Sequence, residues 1–418
     1  MKRTLLLLTA LAAVGTANAQ EIKDTVKLGA GYANQVWYSL ANDEQASKPK
    51  AEWDIAFEMN GGASAAILAN TSAGVVLYKY PKGDVSAWAT VDTTGMSGWT
   101  KRYNSDTSWA KGAIGRYKNV NDPYDMDWGK YNVTTHIVTG DSIFIIKTAG
   151  GQYKKLIVKD LTSGVYNIRY ADLNGSNQQD KSITKATYAS KNFVYYALQT
   201  DLIIDREPAA EDWDLVFTQF ARSQDSYNVT GVLQNKLVKA VRVDNVPNKE
   251  TYNNYAAHTL TTPINILGAD WKTFNGSTYT IKDSSVYFVQ DRSGDIWKVR
   301  FTGFDMVDGG FMLAKENLTK TPTGINEVAA KANAQMVLYP NPAAQGRQVT
   351  VVYNSARNMG DVKLSVFDIS GKMVYSESRP ALDGLQQYAM PVNNLGNGMY
   401  IVTLEAGATR IQQKLVIQ

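Results

Sequence analysis

The sequence predicts an all-β chain built from two tandem repeats and a C-terminal Ig-like β-sandwich. Three observations predict it. Apolar residues fall in alternating runs of about four to seven residues, the period of a half-buried strand. Gly, Asn, Asp or Pro interrupts these runs roughly every eight to twelve positions, and few segments hold a helical period. The 418 residues include 24 Tyr, 9 Trp and 32 Gly, a composition that suits pleated surfaces and tight turns.

The chain opens with a positive stretch, Met1-Lys2-Arg3. Residues 5–14 are apolar apart from Thr9, and Ala17-Asn18-Ala19 is a small-residue cleavage pattern before Gln20. The run is too short to span a bilayer, so residues 1–19 read as a secretory signal peptide cut between Ala19 and Gln20. No later stretch is apolar for long enough to predict a transmembrane segment.

The segment that follows reads as a duplication, with repeats at 20–180 and 181–318. Asn34 to Leu40 parallels Asn192 to Leu198. Trp53-Asp54-Ile55-Ala56-Phe57 parallels Trp213-Asp214-Leu215-Val216-Phe217. Asp127 to Val158 aligns without a gap to Asp270 to Phe301, which sets His136 over Tyr279. Each Trp-Asp strand is expected to bury its ring and to end its carboxylate on a turn or backbone donor. Residues 286–301 are expected to form a hairpin about Gly294. Trp297, Val299 and Phe301 take its core face, and Ile296, Lys298 and Arg300 a partly solvated one.

A polar linker, 319–335, precedes the third module, 336–418. Tyr339-Pro340-Asn341-Pro342 opens it. Alternating runs follow, with a Gly371-Lys372 turn, a strand from Gly398 through Tyr400, and the ending Lys414-Leu415-Val416-Ile417-Gln418. Short runs between turn residues argue for a small antiparallel sandwich. The series resembles the type-A C-terminal sorting domain of the type IX secretion system of Bacteroidota. The resemblance implies export by that machinery, removal of the domain by its sorting peptidase, and a product that is secreted or held on the outer-membrane surface.

The repeats resemble the HmuY-like haemophores, an all-β family that captures haem. The resemblance is carried by Trp53 to Phe57 followed by Asn60-Gly61-Gly62, and by the hairpin that closes with Lys298-Val299-Arg300-Phe301. It implies a non-enzymatic binding protein whose partner is haem or a haem-carrying protein, with the iron held by paired His or Met side chains. The chain has two histidines, one in each repeat. The candidate ligands are His258, Met96, Met59 and His136, used singly or in mixed pairs. A plain packing or surface role is the alternative for each. An adhesin or glycan-binding protein on the same fold, without haem, is the rival function.

Other chemistries are poorly served. The absence of cysteine excludes thiol nucleophiles, zinc-thiolate sites and disulfides. No HExxH, Walker A or GxSxG pattern occurs, and Gly29-Ala30-Gly31 lacks the rest of a dinucleotide fingerprint. Asp122, Asp125 and Asp127, and Asp172, Asn174 and Ser176, offer hard oxygens without EF-hand spacing. Trp88, Trp99, Trp109 and Tyr124 fall in predicted loops, where a ring could stack on a sugar or a porphyrin. The 43 basic residues, of which Lys2 and Arg3 leave with the signal, nearly balance 39 acidic ones, so no nucleic-acid partner is expected.

Overall fold

The computed structural model describes residues 21–60, 65–319, 336–355, 361–380, 384–406 and 409–418. Ala19, Gln20, Gly61, Gly62 and the linker from 320 onward lie outside the described residues. The chain divides into a body that ends at Thr319 and a tail beyond it. Among the described residues the helical elements are all short 3-10 turns, and no helix is long and apolar enough to cross a membrane.

The first part of the body carries β1 (Ile22–Lys27), β2 (Asn34–Ser39), β3 (Asp43–Pro49), β4 (Ile55–Glu58), β5 (Ile67–Ala69) and β6 (Val76–Lys79). It continues with β7 (Lys101–Arg102), β8 (Gly129–Asn132), β9 (Ile137–Gly140), β10 (Ile143–Lys147), β11 (Tyr153–Thr162) and β12 (Val165–Asp172). The second part carries β13 (Gln179–Thr184), β14 (Phe193–Ala197), β15 (Leu202–Ile204), β16 (Leu215–Ala221), β17 (Asn228–Gln234) and β18 (Lys239–Val243). Then come β19 (Lys272–Phe274), β20 (Tyr279–Ile281), β21 (Val286–Gln290), β22 (Ile296–Asp305) and β23 (Gly310–Asn317).

Two outer sheets run β13-β12-β11-β10-β6-β7 and β1-β23-β22-β21-β18, and two inner sheets run β15-β14-β4-β5 and β17-β16-β2-β3. Side-chain alternation stacks them. Ile55 and Phe57 join the core under the first outer sheet, whereas Ala56 between them joins the layer between the inner sheets. Val36 and Tyr38 face the second outer sheet, and Trp37 faces the same middle layer. Trp53 and Trp213 are both buried in that layer.

The strand registers repeat across the two parts, and the strands are exchanged. Val194 lies opposite Phe57 and Tyr196 opposite Ile55. Likewise Val36 lies opposite Phe217 and Tyr38 opposite Leu215. β13 edges the sheet of β12, and β1 edges the sheet of β23. Each half therefore combines the opening strands of one repeat with the remainder of the other, and the expected boundary at 180/181 does not separate two bodies. Pairing is decided by strand pattern, and either copy can supply the same pattern.

The Trp-Asp carboxylates fasten the exchange. Asp54 accepts the N–H groups of Leu198 at 2.8 Å and Ala149 at 2.7 Å. Asp214 accepts those of Leu40 at 2.8 Å and Arg292 at 3.3 Å. Burial raises the pKa of both carboxyls.

Two expectations need correction. The second face of β22 is not solvated. Residues 244–260 fold over it, and Lys298 donates to the Glu250 carbonyl at 2.8 Å and pairs with Glu316 at 2.6 Å. Buried cations there are tolerated because each is paired and hydrogen-bonded. The ungapped match also hides a difference. Tyr131 pairs with Val138, but Phe274 pairs with Tyr279. The second hairpin is thus two residues shorter, and Tyr279 matches Val138, not His136.

The tail has β24 (Val337–Tyr339), β25 (Gln348–Ser355), β26 (Asp361–Asp368), β27 (Met373–Pro380), β28 (Gly384–Pro391), β29 (Gly398–Ala406) and β30 (Thr409–Ile417). Sheets β24-β25-β28 and β27-β26-β29-β30 enclose a core that includes Val351, Val366, Met390 and Leu415. Its motifs are mutual supports. Asn341 donates to the Lys414 carbonyl at 2.6 Å and accepts the Val416 N–H at 2.9 Å, while Gln418 N–H donates to the Ala343 carbonyl at 2.9 Å. Asp368 accepts the Lys372 N–H at 3.0 Å, across a turn where Gly371 has φ +85°. Tyr400 hydroxyl donates to the Gly396 carbonyl at 2.9 Å.

Candidate functional site

A cleft of about 480 Å³ opens in the first half, where the β8–β9 hairpin and the β11–β12 turn meet Lys185. The hairpin is pinned by close approach. A Cβ at Gly129 would sit 2.2 Å from the Thr139 carbonyl oxygen, so glycine lets the two strands pass. β9 docks on β11 with Val138 opposite Leu161. Tyr124, Met126, Tyr131 and His136 also line the cleft.

His136 ends the hairpin turn with φ +57°, the left-handed region where His is tolerated better than most residues. Its N–H donates to the Asn132 carbonyl at 2.8 Å. The Asn132 side chain in turn accepts the N–H groups of Thr134 and Thr135 at 2.9 and 3.1 Å. The turn sets the imidazole Nδ1 2.7 Å from the Tyr131 hydroxyl. With Nδ1–H donating to that oxygen, the Nε2 lone pair is left to ligate, the usual arrangement of a metal-binding histidine. The Met126 thioether is 3.5 Å from the Lys118 ammonium. Burial lowers the Lys185 pKa, and the Glu58 charge opposes that shift.

The other candidates lie apart from this cleft. Met59 is buried in the core beneath the first outer sheet. Met96 packs, half-buried, on the outer face of that sheet beside Trp88 and Trp99. His258 stacks on Phe288 of β21 in the second half, with Nε2 2.8 Å from the Tyr252 hydroxyl. Trp109 donates to the Gln234 carbonyl at 2.7 Å, so its ring anchors a loop. Of the four aromatic candidates, Tyr124 lines the cleft.

The acidic clusters hold turns. Asp127 is buried and pairs with Arg102 at 2.6 Å while accepting the Gly115 N–H at 3.0 Å. Asp122 pairs with Lys130 at 3.0 Å. Asp172 pairs with Lys154 at 2.8 Å, and that lysine chiefly holds its pKa below the ordinary value. Among the described residues no His, Asp and Glu group is arranged to hold a metal ion.

Sequence reasoning singled out His136 and Tyr124 but missed Tyr131, Met126, Leu161 and Lys185. The five-residue spacing of Tyr131 and His136, which the structure shows to span a hairpin turn, is the one available signal. Nothing in sequence pointed to Lys185.

Two family models match. Residues 31–171 match the HmuY protein model, and residues 337–418 match the secretion system C-terminal sorting domain. The chain thus carries one HmuY domain by this measure, and a type IX sorting tail that marks a secreted or cell-surface protein. No curated protein matches the chain. Among solved structures, dimeric latent PorU from Porphyromonas gingivalis aligns over 92% of this chain and 33% of its own, at 8% identity and a TM-score of 0.17. Escherichia coli alpha-2-macroglobulin activated by porcine elastase aligns over 96% and 33%, at 7% identity and 0.15. This chain spans about a third of each, and neither score reaches the level of a shared fold.

Proposed function

We propose that the mature body is a non-enzymatic haem-capture protein, delivered to the cell surface or the medium by the type IX route, and that the cleft beside the β8–β9 hairpin is its binding site. The observation that carries this reading is His136, presented on the cleft wall with one ring nitrogen already engaged by Tyr131. The cleft's volume falls within the usual range for small-molecule sites, about 300–1,000 Å³. Tyr124, Tyr131 and Leu161 supply faces for a flat apolar macrocycle, and the haem brings its own iron to the imidazole. The second repeat is proposed as a copy of the same HmuY-type unit, supported by the matched strand registers.

A glycan-binding role is the second reading. It is favoured by Tyr124, which is 45% exposed at the cleft and open to stacking on a sugar ring. Titration of the full chain with ferric haem separates the two. A Soret band that saturates and is altered in His136→Ala supports haem capture. An unchanged spectrum, with binding to an oligosaccharide instead, supports the rival.

A further inference from the structure

The duplication places an equivalent of the cleft in the second half, and there it is filled. Register fixes the counterparts. Phe274 stands for Tyr131 and Tyr279 for Val138. Leu161 lies opposite Tyr166 on β12, as Phe304 lies opposite Phe311 on β23, so Phe304 stands for Leu161. Lys185 N–H donates to the Gly164 carbonyl at 2.9 Å, as Leu28 N–H donates to Gly309 at 3.3 Å, so Leu28 stands for Lys185.

At two of these four positions the second half carries a ring where the first half has an aliphatic side chain, Tyr279 for Val138 and Phe304 for Leu161. Phe304 is edge-on to Tyr279 and to Phe311, each at 5.2 Å between ring centres, and stacks on Tyr32 at 6.3 Å. Lys272 occupies the position of Gly129. Its ammonium lies 4.3 Å from the Trp271 ring and 4.7 Å from the Phe304 ring, and donates to the Thr230 carbonyl at 2.5 Å. An ammonium so caged is held by the ring faces. The hairpins differ to match. β8–β9 is joined to β11 and frames an opening, whereas β19–β20 forms a separate two-stranded ladder whose Tyr279 turns into the aromatic cluster.

We infer that the body offers one tetrapyrrole-sized cleft per chain, in its first half, because the second half fills the equivalent space with its own Phe304, Tyr279 and Lys272. Leu161 and Val138 are the specificity-determining residues whose modest size keeps the first cleft open. This rests on the cleft being the binding site, as proposed above.

The test titrates the full chain with metal-free protoporphyrin IX, followed by fluorescence, and with ferric haem, followed by absorbance. Leu161→Phe copies the filled half into the open one, Leu161→Met keeps the size, and Val138→Tyr is a second, independent plug. The expected result is one equivalent of porphyrin per chain. Affinity should weaken at least tenfold in Leu161→Phe and Val138→Tyr but stay near wild type in Leu161→Met, with melting temperatures showing that each variant folds. Two equivalents per chain, or wild-type affinity in both plugged variants, overturns the inference. Porphyrin binding without a His136-dependent haem spectrum overturns the axial role of His136 and leaves the single cleft standing. No binding of either tetrapyrrole overturns both.

Discussion

Glu207 is buried in the body, where its carboxylate accepts the Tyr195 hydroxyl at 2.8 Å and the Asn192 N–H at 2.9 Å. Burial outweighs those donors and pushes its pKa from 4.5 up to about 7. An acid whose folded pKa is raised binds more protons in the native state between the two values. Its contribution to stability is therefore greatest below pH 4.5 and is lost as pH rises to about 7. The loss is at most about 3 kcal/mol. Glu207→Gln should flatten the fall in melting temperature over that window. An equal slope in wild type and variant would show that Glu207 titrates normally. The sequence gives no hint of this residue, because its burial depends on which strands meet around it. The Trp-Asp pairs at 53–54 and 213–214 were legible, because a repeated aromatic beside a repeated carboxylate on an alternating strand needs a core and a backbone donor in any packing.

At the scale of elements, the tail motifs are one device. Asn341 ties the opening of the module to the terminal strand through Lys414 and Val416, so the Pro-flanked entrance and the chain end stand or fall together. Each hydrogen bond of this kind contributes about 0.5–1.5 kcal/mol. Asn341→Ala should therefore destabilise the tail by about 1–3 kcal/mol and leave the body's unfolding unchanged, as read by chemical denaturation. Loss of stability in both parts would reject this local role. The tail's strands could be read from the sequence because their turns are marked by Gly371, Gly398 and the prolines. The cleft could not. Its lining comes from residues 123–138, 161–164 and 185, and these segments meet only through the docking of β9 on β11 and the pairing of β13 with β12. The two-residue difference between the hairpins was hidden because the extra length returns before β21.

For the whole molecule, exchange makes the body one compact unit. The repeat pattern in the sequence was visible, but it says equally well that β4 pairs within its own copy or with β14 of the other. Residues 20–180 alone would leave β4 without β14 and β12 without β13, which exposes strand edges. That fragment should therefore fail to fold by itself and should recover native structure when mixed with 181–319, as followed by circular dichroism. A stable, monomeric 20–180 would contradict the exchanged architecture. The proposed haem site is single and built on one imidazole, and electron paramagnetic resonance of the full chain with one equivalent of ferric haem reads that ligation. The expected result is a high-spin or mixed signal that changes in His136→Ala, because His258 lies on the other half against Phe288 and no second imidazole lines the cleft. A low-spin bis-imidazole signal, or a spectrum indifferent to His136, would contradict it.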